Sequence, residues 1–156
     1  DWYIESLGDI TLENNIISIQ IALEALSYII LVEKEGLLDD EQFDQNNASK
    51  NIKLVLNACN IPHGSDELEL FDDWIRGKFD DGVDLVIYFR NKIVHPVRKD
   101  NRANLTVEDM WNIIQIGTKY IELIVLSFIG YKGEYSNRLK ERWFGEVEVV
   151  PWNKLD

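Results

Sequence analysis

The sequence predicts an all-α domain, a bundle of four to five helices closed by a short irregular or strand-like C-terminal tail. Apolar residues recur at spacings of three and four along several stretches, which is the period of a half-buried helix. Strand-like and helix-like segments do not alternate, and neither glycine fingerprint of the nucleotide-binding α/β folds occurs. Three prolines and nine glycines exclude collagen-like and low-complexity architectures.

The elements follow in order. Thr11 or Asp9 can cap a first helix over about 11–35, in which Ile16, Ile19, Leu23, Leu26 and Ile30 form a stripe. Ile17, Ile21 and Leu31 widen that stripe, so this helix must be covered on more than one side, by the domain or by a partner. Gly36 stops it. Residues 37–47 are acidic and polar and read as a solvated linker. A second helix over about 48–60 places Ile52, Val55, Leu56 and Cys59 on one face, and Pro62-His63-Gly64 ends it. Residues 66–80 read as a short helix or turn with Leu70, Phe71 and Trp74 on one side.

A further helix runs from about 83 to 95, because Pro96 disfavours helical geometry at His95. A basic polar loop over 97–105 follows. Thr106 and Asp109 then make a capping box for a long helix, with Val107, Met110, Trp111, Ile114, Ile121, Val125 and Phe128 on its expected main face. Its second half is apolar almost all round and asks for a buried or dimeric environment. Residues 134–143 read as a helical turn, and 146–151 as one short strand. The whole chain, 1–156, reads as a single domain with a helical core over about 10–140 and a tail over 141–156.

Composition narrows function before any motif does. The net charge is −12, which argues against a general nucleic-acid coat, but the charge is uneven. Residues 1–49 carry one base and eleven acids, whereas 88–102 carry five bases and one acid. A single cysteine excludes an intrachain disulfide and a multi-cysteine zinc site, and two histidines argue against a histidine-rich metal centre. No metal and no cofactor is expected. The uncharged apolar runs, such as Ala25 to Val32, are shorter than the roughly 20 residues of a membrane span. With one free thiol and no signal sequence, the expected compartment is the cytoplasm, with no membrane partner. The start at Asp1 reads as that of a fragment of a longer protein, or of a processed one.

The basic segment, Tyr88 to Lys99, is where chemistry can sit. On a helix Asn91 and His95 lie about 40° apart and share a face. Arg90 adds a fixed cation, and Arg98, Lys99 and Arg102 follow in the loop. This set suits RNA phosphodiester cleavage without a metal. Histidine, with a reference pKa of about 6.5, can take the proton from a 2′-hydroxyl or give one to the leaving oxygen. Arginine stabilises charge developing on the phosphate, and asparagine orients the phosphate or the imidazole. One histidine is one short of an acid–base pair, and a two-fold dimer would supply the second copy.

Arg90-Asn91-Lys92-Ile93-Val94-His95-Pro96, late in an all-helical domain, resembles the signature of the HEPN superfamily, in which an arginine and a polar residue precede a histidine by a short spacer. The nearer resemblance is to the ApeA-like HEPN domains of bacterial anti-phage defence proteins. Their arginine-asparagine and histidine-proline pairs are followed by a long apolar helix and a Gly-Tyr-rich end, like Gly130-Tyr131-Lys132-Gly133-Glu134-Tyr135 here. Leu23-Glu24-Ala25-Leu26 is similar to the first-helix pattern of that group, and the likeness spans roughly residues 10 to 140.

The resemblance implies a dimeric, metal-independent endoribonuclease that serves as an effector domain, with an N-terminal sensing region absent from this chain. It carries over Arg90 and His95 as catalytic, Asn91 as the accompanying polar residue, and Glu24 as a supporting residue that orients Arg90 or His95.

Plainer readings stand beside these. Arg90 reads equally as an exposed helix arginine and His95 as a cap favouring the helix dipole. Lys92, Arg98, Lys99 and Arg102 are either RNA-backbone contacts or solvated charges. Glu24 is as readily one half of a structural ion pair. His63 reads as a loop histidine without function, Cys59 as core, and Trp74 and Trp111 as core packing. Trp143 and Trp152 read as anchors of the tail or as contacts to an absent domain. The alternative function is a non-catalytic dimerisation or interaction module, or a nucleotide-sensing domain.

Overall fold

A computed structural model describes residues 11–95, 105–140 and 146–153. The first helix, α1, spans Leu12–Tyr28 and continues as a π-helical turn over Ile29–Lys34. The Thr11 hydroxyl caps it by accepting from the Asn14 N–H at 3.4 Å, and Gly36 ends it with φ +58°, a left-handed conformation that glycine adopts without strain. Its continuation keeps the adjacent residues Ile30 and Leu31 both buried.

Three more long helices complete the bundle: α3 (Ala48–Ala58), α5 (Gly82–Val94) and α6 (Val107–Phe128). Helix α1 is central. It packs most extensively on α6 and also touches α5 and α3. The α3 face is as expected, with Ile52, Val55, Leu56 and Cys59 all buried. Asn47, which sits in a glycosylation-like triplet, caps this helix by accepting from the Lys50 N–H at 2.8 Å.

Several expectations need correction. The stretch 37–47 is not all linker. Asp39 and Gln42 form a capping box that starts the short α2 (Asp40–Gln45), and Phe43 meets Tyr28 edge-on at 5.2 Å. The segment over 66–80 is split into a 3-10 turn, Ser65–Leu70, and a one-turn helix α4, Asp73–Arg76. Extended backbone at Phe71 separates them, so Leu70, Phe71 and Trp74 share no face. Phe71 is buried, whereas Leu70 and Trp74 are exposed. These additions raise the described α-helices above the expected number without changing the four-helix core.

The main face of α6 is also rotated from the expected one. Of the expected residues, Ile114 and Ile121 are buried and Met110 packs against the core, but Val107, Trp111, Val125 and Phe128 are exposed, and the buried stripe also takes in Ile113, Ile116, Gly117, Tyr120 and Ile124. Gly117 marks a close approach of α1 and α6, since a Cβ there would collide with Ile19 Cγ2.

Residues 134–143 do not begin with a helical turn. Glu134–Tyr135 (β1) pairs antiparallel with Glu148–Val149 (β2), aligning Glu134 with Val149 and Tyr135 with Glu148. The strand expected over 146–151 is therefore one half of a two-stranded ribbon. The tail lies against the body: Val150 is fully buried, and the Trp152 indole donates to the Tyr131 carbonyl at 2.7 Å. Trp152 is thus an anchor, while Trp143 lies outside the described residues, as do Asp9, Pro96, Arg98, Lys99 and Arg102.

The Leu12–Lys34 segment has the length and mean hydropathy, 1.8, of a membrane span, contrary to the impression its short uncharged runs give. Ile16, Ile19, Leu23, Ile30 and Leu31 nevertheless point into the bundle core.

Candidate functional site

Helix α5 positions the residues singled out by the sequence. The Asp81 carboxylate caps it by accepting from the Asp84 N–H at 3.0 Å. Val83, Leu85, Val86 and Phe89 bury one side against the core, which turns Asn91 and His95 outward. His95 is the C-cap, with its own N–H bonded to the Asn91 carbonyl at 2.9 Å. Both side chains are exposed.

Arg90 is half-buried. Its Nε is fully shielded from solvent and has no hydrogen-bond partner among the described residues, while its Nη1 donates to Asn91 Oδ1 at 3.1 Å. No carboxylate among the described residues pairs with it. The structure therefore places Arg90, Asn91 and His95 at the end of one helix and joins the side chains of Arg90 and Asn91, with the guanidinium tip turned towards Asn91.

Glu24 does not join them. It is half-buried on α1 and accepts a hydrogen bond from the Gln20 side-chain amide one turn earlier on the same helix. Neither the expected orienting bond to Arg90 or His95 nor a structural pair with an arginine forms among the described residues. Lys92 lies with its Nζ 5.3 Å from the Tyr88 ring centroid.

A second polar cluster, which sequence reasoning passed over, joins α3, α5, α6 and the 3-10 turn. Lys53 Nζ lies 3.0 Å from Asp81 and 2.7 Å from Asp84. His63, in the loop after α3, bridges Asp81 and Asn57 through its two ring nitrogens, each at 3.2 Å, and so links the two. Burial pushes the Asp84 carboxyl up, but the bonds from Lys53 and Ser49 outweigh it and hold the pKa below the ordinary value.

Beside this, buried Glu67 accepts from Lys119 Nζ at 2.8 Å and from the Tyr120 hydroxyl. Burial, then the Glu67 charge, drives the Tyr120 pKa well above its usual value. A cavity of about 770 Å³ opens next to this pair, lined among others by His63, Glu67, Lys119, Asn137 and Glu148. Each lysine of this cluster is paired with a carboxylate within it, the pattern of a structural anchor. The signal that could have exposed it is the acid-rich run from Asp66 to Asp84, set against lysines on two other helices.

Comparison with known proteins assigns the family. A family model described as the YopA C-terminal domain matches residues 1–149. The chain belongs to the YopA C-terminal domain family. A curated relative, the SPbeta prophage-derived protein YopA of Bacillus subtilis strain 168, is 34% identical over 157 residues. The alignment covers 99% of this chain and 35% of that protein, so this YopA-type domain spans about a third of its relative's length. No solved structure matches the chain.

Proposed function

We propose that this YopA-type domain is a metal-independent endoribonuclease of HEPN kind. The observation that carries the reading is Arg90. It holds a half-buried guanidinium with no carboxylate partner among the described residues, aimed at Asn91, one helical turn from an exposed histidine. Structural arginines held in a protein interior are normally paired, so an unpaired one is a charge kept for a ligand.

His95 acts as base or acid. The 2′-hydroxyl loses its proton, its oxygen attacks the adjacent phosphorus, and the 5′-oxygen leaves and takes up a proton. Arg90 holds the phosphate and meets the charge that develops on it, with Asn91 hydrogen-bonded alongside. The products are a 2′,3′-cyclic phosphate and a 5′-hydroxyl.

A homodimer supplies the second histidine. Ile29, Val125, Phe128 and Ile129 stay exposed in the single chain and offer an apolar surface for a second copy. The setting we infer is cytoplasmic, as the effector of an anti-phage or toxin-like system whose sensing part lies elsewhere in the full protein. A prophage-derived relative fits that setting. The net charge of −12 favours a second reading, a non-catalytic interaction module, because it weakens non-specific RNA affinity at physiological salt.

The test compares wild type with His95→Ala on labelled tRNA and single-stranded RNA in EDTA, with light scattering to give the mass of each. The expected result is cleavage by a dimeric wild type and a loss of at least about 100-fold in the variant. Equal cleavage by both, or activity lost in EDTA and restored by magnesium, overturns the mechanism.

A further inference from the structure

Trp74 is 51% exposed, although its one-turn helix α4 is firmly seated. Asp72 caps that turn by accepting from the Ile75 N–H at 3.0 Å, and Ile75 is buried, so the indole is held at the surface by a fixed backbone. Lys78 Nζ sits 4.5 Å from the Trp74 ring centroid and 4.1 Å from that of Tyr88, and it donates to the Tyr88 hydroxyl at 2.7 Å. Lys92 Nζ also approaches Tyr88, at 5.3 Å from its ring centroid. Phe79 packs edge-on against Tyr88 at 5.0 Å and braces the ring.

Lys78 and Lys92, like Arg90, have no carboxylate partner among the described residues. Three such cations in one neighbourhood stand out in a chain carrying 28 acids and 16 bases. Burial pushes the Tyr88 pKa up, but Lys78 and Lys92 together leave it below the ordinary value, as expected of locally positive surroundings. Tyr88 lies three residues before Asn91 and seven before His95. Tyr88, Lys92, Asn91 and His95 therefore occupy one strip of α5, about 10 Å from end to end, and Lys78 joins Trp74 on α4 to it.

We propose that Trp74 and Tyr88, with Lys78 and Lys92, form the subsite for a nucleotide flanking the cleaved bond, an unpaired base stacking on Trp74 while the two lysines meet backbone phosphates. The inference rests on the ribonuclease reading for its place in catalysis, but it makes a separate claim about binding. A rigid, half-solvated indole offers a planar face that every base can stack on, and cations spaced along the strip match the spaced charges of a single strand. A base inside a duplex has no free face, so single strands are preferred.

The test uses a short fluorescein-labelled single-stranded oligonucleotide with 2′-O-methyl groups, which cannot be cut by 2′-hydroxyl attack. Its affinity is measured by anisotropy for wild type, Trp74→Ala and Trp74→Phe at two salt concentrations. Trp74→Ala should weaken binding about ten-fold, and Trp74→Phe should keep most of it. Replacing Lys78 and Lys92 together by alanine should reduce the salt slope by about 1.4. Affinity unchanged in Trp74→Ala, no measurable binding by wild type, or equal binding of a duplex overturns the proposal. So does an acidic peptide whose binding depends on Trp74 while RNA binding does not. Trp74-dependent binding without cleavage of unmodified RNA supports the subsite and sinks the ribonuclease reading, whereas cleavage indifferent to Trp74 does the reverse.

Discussion

Replacing Arg90 with methionine should make this protein more stable while abolishing its proposed activity. Methionine keeps an unbranched apolar stem where the arginine methylenes pack, so little volume changes. The substitution removes the shielded Nε that has no acceptor, a defect of about 1–3 kcal/mol. It also removes the bond from Nη1 to Asn91, which lies at the surface and is worth about 0.5 kcal/mol. The balance is a gain of about 1 kcal/mol, or roughly 2–4 °C in Tm for a chain of this size. Urea and thermal denaturation measure it, and RNA cleavage is followed on the same preparations. A functional residue held in an unfavourable setting gives this pairing of higher stability with lost activity. A drop of 1 kcal/mol or more in Arg90→Met would refute the reasoning, because it would show that Arg90 holds the fold together and that its guanidinium is satisfied in solution.

Two predictions concern the scaffold. Lys119→Met leaves the buried Glu67 carboxylate without its cation and should cost about 3 kcal/mol, whereas adding Glu67→Gln should recover part of that loss. Urea denaturation of the singles and the double checks this, and strictly additive losses would rule out a coupled buried pair. Glu148 governs acid stability of the ribbon. Burial raises its pKa, but bonds from Lys140, Tyr135 and Asn137 outweigh this and bring it from the ordinary value of 4.5 to about 2. Its contribution is complete above about pH 4.5 and is lost as pH falls towards 2. Because Lys140 is 58% exposed, water screens the pair and the contribution is about 1 kcal/mol. Glu148→Gln should remove that part of the acid dependence, measured as Tm between pH 5 and pH 2.5.

The sequence by itself determined the four long helices, their starts and their stops. Thr11, Asn47 and the Thr106–Asp109 box are local hydrogen-bonding devices whose partners lie within three residues, and Gly36 acts through its own backbone freedom. It also determined that Arg90, Asn91 and His95 end one helix, because spacing of a few residues on a helix is geometry. Tertiary structure decided the rest. The second half of α6 is apolar almost all round, so periodicity could not choose its core face. The close approach of Ile19 to Gly117 did. Trp74 lies in water because extended backbone at Phe71 breaks the run that would have aligned them. Glu24 bonds to Gln20 on its own helix, a choice made by how α1 sits in the bundle. The two short strands pair residues more than ten positions apart, and the Glu67–Lys119 pair joins segments more than fifty apart. Such contacts depend on the sum of many weak packing energies over the whole chain, and no local pattern records them.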